Sequence, residues 1–597
     1  MFTSLFAPEV QAVLDNAESA AGQAGGPFPS PADWRDQVIY FLMVDRFNNP
    51  AAKPVHQPYD DPNYAKYQYG KFSGVQQQLA YIKSLGAGAI WLSPVLKNLP
   101  FDLGSYHGYG IHDFLRAEPY FATNPANADD ELRALVDAAH QAGLYVIFDI
   151  VLNHIGDAFA YNGNSTAPFS SVPMPIQWRD ASGTAQPQWN DIAAIQNPPI
   201  DGVVWPSELH QNQYFRRQGM PDPNGADTVG DFDSLKQMMT VDPDLQGFLI
   251  RAYQYVIARY DIDGFRIDTL RYLQGNLAQL FGNSVREFAL SIGKKNFYTF
   301  GEVLDSTSEQ DIARFIGRNT TTGDDADSLV GVDAALDYPL FFVLTPTVKG
   351  FSAPSAVVNM YQFRKQVEQF ILSSHGDATR YFVTFLDNHD MKARIRFEQP
   401  GNPDQFDDQV TMGVACLFCL PGVPCLYYGT EQGLHGAGSD PAVREALWGI
   451  APTFPRTGLF YTEIQQVAAV RGAQPALRYG RFYFRPISDD SVNFGISPFP
   501  AGILAWSRIL NDQEVLIVAN PNTTQTLSVD VILEITLSAP GDKLRVLYSN
   551  KSAPTAPAPV RTLSQVKVAE VDGSTGTGPV NTVHVTLQPM EAQLLRI

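Results

Sequence analysis

Four short apolar runs in this chain each end in charged or amide side chains, and no other feature restricts the fold as strongly. They are Val146-Ile-Phe-Asp-Ile-Val-Leu-Asn-His154, Ile262-Asp-Gly-Phe-Arg-Ile-Asp268, Phe297-Tyr-Thr-Phe-Gly-Glu-Val303 and Tyr381-Phe-Val-Thr-Phe-Leu-Asp-Asn-His-Asp390. Each is too short for a helix and too continuously apolar for a strand with one wet face, so each reads as a buried parallel strand. In the second run, Arg266 and Asp268 lie two residues apart and point to one face. A buried Arg-x-Asp is costly unless it is paired or used. Taken alone, it is an ordinary structural ion pair.

Helical patterns fall between these strands, as at Ala128–Gln141 and in the segment ending at Tyr260. Alternating strand and helix implies an α/β fold with a parallel sheet, here a (β/α)8 TIM barrel. Other expected strands are Val38–Val44, Ala89–Leu92 and Gly422–Gly429, with one helix around Gln76–Leu85. Barrel enzymes act at the C-terminal ends of their strands. Asp268, Glu302 and Asp390 are therefore expected to converge on one site.

A length of 597 residues exceeds one hydrophobic core. The pattern predicts an N-terminal extension and linker over 1–33 and a barrel over 34–154 and 245–479. An inserted domain over 155–244 follows the third strand, where the strand–helix rhythm stops for a stretch rich in Pro, Asn, Asp and Gly. Residues 480–597 alternate apolar and polar side chains between turns and read as an antiparallel β-sandwich.

The formal net charge of −20 argues against nucleic-acid and anionic-membrane partners. Cys416, Cys419 and Cys425 lie in one apolar stretch with no second Cys or His pair to complete a zinc site, so they read as buried small hydrophobes. The N-terminus lacks a basic region and continuous apolar core, which predicts a cytoplasmic chain whose Leu5, Val10 and Leu14 pack as a short helix. No stretch is long enough to span a bilayer.

The sequence resembles glycoside hydrolase family 13, the α-amylase family. The resemblance rests on Asp149-Ile-Val-Leu-Asn-His154, Gly264-Phe-Arg-Ile-Asp268, Gly301-Glu-Val303 and Phe385-Leu-Asp-Asn-His-Asp390, in the family's order. Ser105-Tyr-His-Gly-Tyr109 and Gly230-Asp-Phe-Asp233 add to it, and it runs from about Trp34 to about Gly480. It implies a retaining α-glycosidase that hydrolyses α-1,4-glucosidic bonds, with a glucanotransferase or glucoside isomerase on the same scaffold as the alternative. A catalytically silent binding member is a third reading, disfavoured because all three carboxylates are present.

Glycoside hydrolysis needs one group to protonate the leaving oxygen and another to trap the oxocarbenium-like carbon. Arg266 beside Asp268 favours an ionised nucleophile, whereas Glu302 has no cation adjacent in sequence and suits the general acid. The resemblance implies the same roles and makes Asp390 the carboxylate that orients the sugar. It implies substrate contacts from His107, Tyr109, His154, Arg266 and His389. It also implies a structural calcium ion held by Asn153 and Asp231, and no organic cofactor. Arg271-Tyr272 stands where a Lys-His pair often follows the nucleophile in α-amylases.

Overall fold

The computed structural model describes residues 2–55, 64–226, 228–304, 309–319, 329–368, 371–374, 376–396, 407–449 and 453–597. Eight strands form the barrel: β1 (Ile39–Leu42), β2 (Ala89–Leu92), β3 (Tyr145–Val151), β4 (Gly264–Asp268), β5 (Tyr298–Gly301), β6 (Ala334–Ala335), β7 (Val383–Thr384) and β8 (Val423–Tyr427). Their order is β6-β5-β4-β3-β2-β1-β8-β7, and every neighbouring pair is parallel. A parallel bridge between Leu336 and Val383 joins the two ends and closes the ring. The strands are buried almost throughout, as the continuous apolar runs require. The register sets Arg266 of β4 beside Asp149 of β3 and Phe300 of β5.

Two elements depart from the sequence reading. The run beginning at Tyr381 gives only a two-residue strand, because residues Ala378–Tyr381 form a 3-10 turn capped by Asp377. The helix expected around Gln76–Leu85 is two pieces, Phe72–Gln77 and Leu79–Ser84, which break at Gln78. The helix Ala128–Gln141 forms over its expected span.

The helix Pro243–Tyr260 feeds β4. Its first turn carries Pro243 and is capped by Asp242, whose side chain accepts the N–H groups of Asp244 and Leu245. It ends at Asp261, which takes the left-handed conformation (φ 60°). The entry to β4 holds a closed ion cluster: the Lys294 ammonium lies 2.8 Å from Asp261 and 2.9 Å from Asp263, and His140 lies 2.9 Å from Asp263. With Arg133 3.9 Å from Asp261, that cluster balances its two carboxylates with two cations. The cluster at the exit of the same strand does not.

The N-terminal helix Pro8–Ala20 buries Leu5, Val10 and Leu14 with its flanking turn. The Gly- and Pro-rich stretch after it was expected to be a linker, yet Phe28 stacks on His140 at 4.0 Å and donates its N–H to Asp261. It straps the barrel's N-terminal face. Between β3 and Pro243, short antiparallel pairs form, including His154–Ile155 with Lys236–Gln237.

After Gly480 two five-stranded sheets face each other. Leu516, Val518, Val531, Val583, Val585 and Leu595 fill the space between them. Apart from one short parallel pair, the strands are antiparallel. Among the described residues, no helix is long and apolar enough to cross a membrane.

Candidate active site

Arg266 is the hub of the barrel's C-terminal end, with a side chain fully out of solvent. Its Nη1 lies 2.9 Å from Asp149 Oδ1 and 2.8 Å from Asp268 Oδ1, and its Nη2 lies 2.9 Å from Glu302 Oε2. Three strands thus send three carboxylates to one guanidinium. Glu302 therefore does have an adjacent cation, contrary to the sequence expectation. The contact crosses from β4 to the end of β5, and only strand register creates it.

With all three carboxylates ionised the cluster would carry two uncompensated negative charges in a dry site. Burial pushes the Asp149 carboxyl up to about 7, against the pull of Arg266. Burial also raises Asp268 well above the usual carboxylate range, again opposed by Arg266 and reinforced by Glu302 and Asp149. At Asp268 burial thus outweighs the neighbouring Arg266, contrary to the sequence expectation that this cation keeps the carboxyl ionised.

Glu302 is fixed by its surroundings. Thr269, the residue after β4, has φ 48°, and its N–H donates to Glu302 Oε2 at 3.0 Å. A left-handed β-branched residue is strained, and such strain persists where the surroundings over-determine it. Tyr338 donates its hydroxyl to Glu302 Oε1 at 3.4 Å.

The expected substrate-contact residues form a chain leading from this hub. Tyr109 donates its hydroxyl to Asp149 at 2.9 Å, and that hydroxyl lies 2.6 Å from His389 Nε2. His389 Nε2 lies 3.2 Å from Asp390 Oδ2. His107 accepts the Tyr109 N–H through Nδ1 at 3.0 Å, so its Nε2 carries the ring hydrogen. His154 Nε2 is buried 3.9 Å from Asp268 Oδ2 and has no hydrogen-bond partner among the described residues. Burial lowers His154 to about 4 and holds His107 and His389 well below the ordinary histidine value. All three are neutral hydrogen-bonding groups at neutral pH.

Asp390 is the most open of the three converging carboxylates, at 24% side-chain exposure against 9% for Asp268 and 7% for Glu302. Its position depends on a residue that the sequence did not single out. Arg444 reaches Asp390 Oδ1 at 2.9 Å and donates Nε to the His389 carbonyl at 3.0 Å and Nη1 to Tyr106 at 3.1 Å. Arg444 sits in a loop with no periodic or motif signal. Asp149 could have been found: it interrupts the apolar β3 run and its motif was already visible.

The loop after β4 adds an aromatic wall. Arg271 donates its N–H to the Glu302 carbonyl at 3.2 Å, which sets Leu270–Tyr272 beside Glu302. Tyr272 meets Phe232 edge-to-face at 6.0 Å, and Phe232, from the segment between β3 and β4, is 49% exposed.

Asn153 and Asp231 come together, but through protein groups. The Gln237 side-chain amide donates to Asn153 Oδ1 at 3.2 Å, and the Gln237 N–H donates to Asp231 Oδ1 at 3.0 Å. Tyr161 donates to Asp231 Oδ2 at 2.6 Å, and the Lys236 ammonium lies 4.0 Å from the same oxygen. A calcium ion needs six to eight free oxygens, and here N–H and O–H donors already engage the two side chains. This donor set does not fit the ion. Cys416, Cys419 and Cys425 are buried free thiols, raised by burial and unsuited to metal or redox work.

The family model for the α-amylase catalytic domain matches residues 41–454. The α-amylase of Streptomyces lividans is 26% identical over 502 residues, covering 75% of this chain and 50% of that protein, so the chain spans half the length of that relative. The cyclomaltodextrin glucanotransferase of Klebsiella oxytoca is 24% identical over 553 residues, covering 85% and 73%. A solved cyclomaltodextrin glucanotransferase, described as the first with a three-domain ABC distribution, has the same fold, with a TM-score of 0.66 at 20% identity over 94% of this chain and 99% of its own.

Proposed function

The chain belongs to the α-amylase family of glycoside hydrolases, and on that premise we propose that it hydrolyses α-1,4-glucosidic bonds in malto-oligosaccharides or starch-like glucans with retention of configuration. The convergence of Asp268, Glu302 and Asp390 on the Arg266–Tyr109–His389 network carries this reading. Asp268 and Glu302 share the Arg266 guanidinium, which supports a pair close enough for retention; retaining carboxyls stand about 5–5.5 Å apart and inverting ones about 6.5–9.5 Å.

Asp268 attacks the anomeric carbon while Glu302 passes its proton to the departing glycosidic oxygen. A covalent glycosyl–Asp268 intermediate results. Glu302, now ionised, takes a proton from water, and the hydroxide oxygen displaces Asp268 from the same carbon. The guanidinium serves both carboxylates, so charge alone does not divide the roles. The order of the family motifs supports this division. Asp390, oriented by Arg444, holds the sugar ring, and neutral His107, His154 and His389 bond its hydroxyls. A network of neutral imidazoles positions hydroxyls without opposing the positive charge that develops on the ring.

Transfer to a sugar is the second reading, favoured by Asn388-His-Asp-Met391, which resembles glucanotransferases at that point. The three-domain layout expected from the sequence would not separate the two readings, since a solved glucanotransferase is described with a three-domain distribution. Digests of maltoheptaose, starch, cyclodextrin, maltose, sucrose and trehalose separate them. Reducing ends are expected to rise steadily in step with bond cleavage. Cyclic or lengthened products without that rise would replace hydrolysis by transfer.

The bond from the Arg271 N–H to the Glu302 backbone carbonyl, together with the Phe232–Tyr272 contact, supports a place for these two rings on the leaving-group side. Their rings offer an apolar platform to the departing sugars. Phe232→Ala is expected to lower kcat/KM on maltoheptaose about tenfold, the equivalent of one lost aromatic contact. Hydrolysis of α-maltosyl fluoride, whose leaving group is no sugar, is expected to stay within about twofold. Equal losses on both substrates would place Phe232 elsewhere.

A further inference from the structure

We infer that the Lys236 ammonium is a built-in cation at the junction of the barrel with the segment between β3 and β4, doing there the work of a structural metal ion and leaving the chain independent of calcium. The position is where Asn153 and Asp231 were expected to hold that ion.

The lysine side chain is wholly buried. Its Nζ donates to the Ser165 carbonyl, lies 3.2 Å from Asp157 Oδ1 and 4.0 Å from Asp231 Oδ2, and stands 5.3 and 5.1 Å from the rings of Phe159 and Tyr161. The second oxygen of Asp157 takes Arg179 Nη2 at 2.8 Å. Two carboxylates thus face two cations, and the site is neutral as it stands. A divalent ion would add two positive charges beside two existing ones, in a setting where burial magnifies repulsion.

The position also explains what such a cation does. Lys236 pairs with Ile155, and Gln237 with His154, across one short antiparallel ladder. Phe232 and Leu235 exchange both backbone hydrogen bonds in the turn immediately before it. Asp157 follows the His154 strand, and Asp231 precedes Phe232. One ammonium therefore ties together the segment that carries His154 and the turn that carries Phe232. A flexible stem lets a lysine place a point charge inside a ring of oxygens as a bound ion would. Lys236 is in this sense a positioning residue.

The test compares wild type with Lys236→Met, which keeps the stem and removes the charge. Wild-type Tm is expected to be unchanged in strong chelator and in added calcium, with no stoichiometric calcium by elemental analysis. Lys236→Met leaves Asp157 and Asp231 facing Arg179 alone in a buried site. Its Tm is expected to fall by about 5 °C or more, as for other broken buried pairs, and added calcium is expected to restore part of the loss by mass action. KM for maltoheptaose should rise more than kcat falls in the calcium-free variant, since the displaced turn carries Phe232. If the variant does not fold without calcium and does fold with it, the same inference is supported. A wild-type Tm that falls in chelator and recovers with calcium overturns it. So does a Lys236→Met protein that is as stable as wild type and indifferent to calcium.

Discussion

Asp268→Asn is expected to lower kcat on maltoheptaose by about four decades or more, the scale on which removing a nucleophile disables a catalytic unit. The amide keeps the shape of the carboxylate and cannot form the glycosyl ester. The fold should survive, because Arg266 keeps its contacts with Asp149 and Glu302. Stability gives an independent check. Burial holds the Asp268 carboxyl above its unfolded value, so the folded chain binds that proton more tightly than the unfolded one. The contribution is present at low pH and is lost as pH rises through the folded value. Asparagine has no such loss. The Tm of Asp268→Asn is therefore expected to equal or exceed that of wild type on the alkaline side, while turnover is nearly abolished. Near-native turnover in protein free of wild-type contamination would remove Asp268 from the mechanism.

The second large effect belongs to Glu302. An acid/base residue acts twice, first giving a proton to the leaving oxygen and then taking one from water. Glu302→Ala is expected to lose about three decades or more on ordinary glucans. An α-glycosyl fluoride needs no proton to depart, so the variant should still form the glycosyl intermediate from it and then stall. Azide needs no deprotonation and should restore turnover, giving an α-glycosyl azide through two inversions. Asp268→Ala offers no covalent route, and direct attack by azide on the fluoride would give the β-azide. NMR of the azide product distinguishes these paths. A β-azide from Glu302→Ala, or rescue to the α-azide in Asp268→Ala alone, would mean that the roles are exchanged.

What the sequence revealed about this site follows from what a strand shows locally. An apolar run that ends in Asp or Glu declares a strand, its direction and the end at which its carboxylate emerges, so Asp268 and Glu302 were legible. The partners across the barrel were not. Arg266 reaches Glu302 because β4 and β5 pair in a particular register, and no local pattern encodes that register. The electrostatic argument for the two roles, with a cation beside Asp268 and none beside Glu302, failed for this reason.

Arg444 was missed for another reason, and Phe232, quoted within Gly230-Asp-Phe-Asp233, was given no role for the same one. They come from loops, where neither period nor propensity marks a residue, and they matter only through what the fold sets beside them. Asn153 and Asp231 were recognised by type as oxygen donors, but a donor's availability depends on its neighbours. Gln237 and Lys236 follow Asp231 closely in sequence, and in the fold they engage the oxygens that an ion would have used. The loss of strand at Tyr381 has a local cause, the Asp377-capped turn, and its signal was in the sequence.

A covalent intermediate on Asp268 can be trapped and located. Glu302→Ala is mixed with α-maltosyl fluoride without azide, quenched in acid, digested and examined by peptide mass spectrometry. A peptide heavier by one maltosyl group is expected, with fragmentation placing the sugar on Asp268. The adduct should disappear when azide is added before quenching. A maltosyl group on any other residue, or rapid fluoride release with every peptide unmodified, would contradict it.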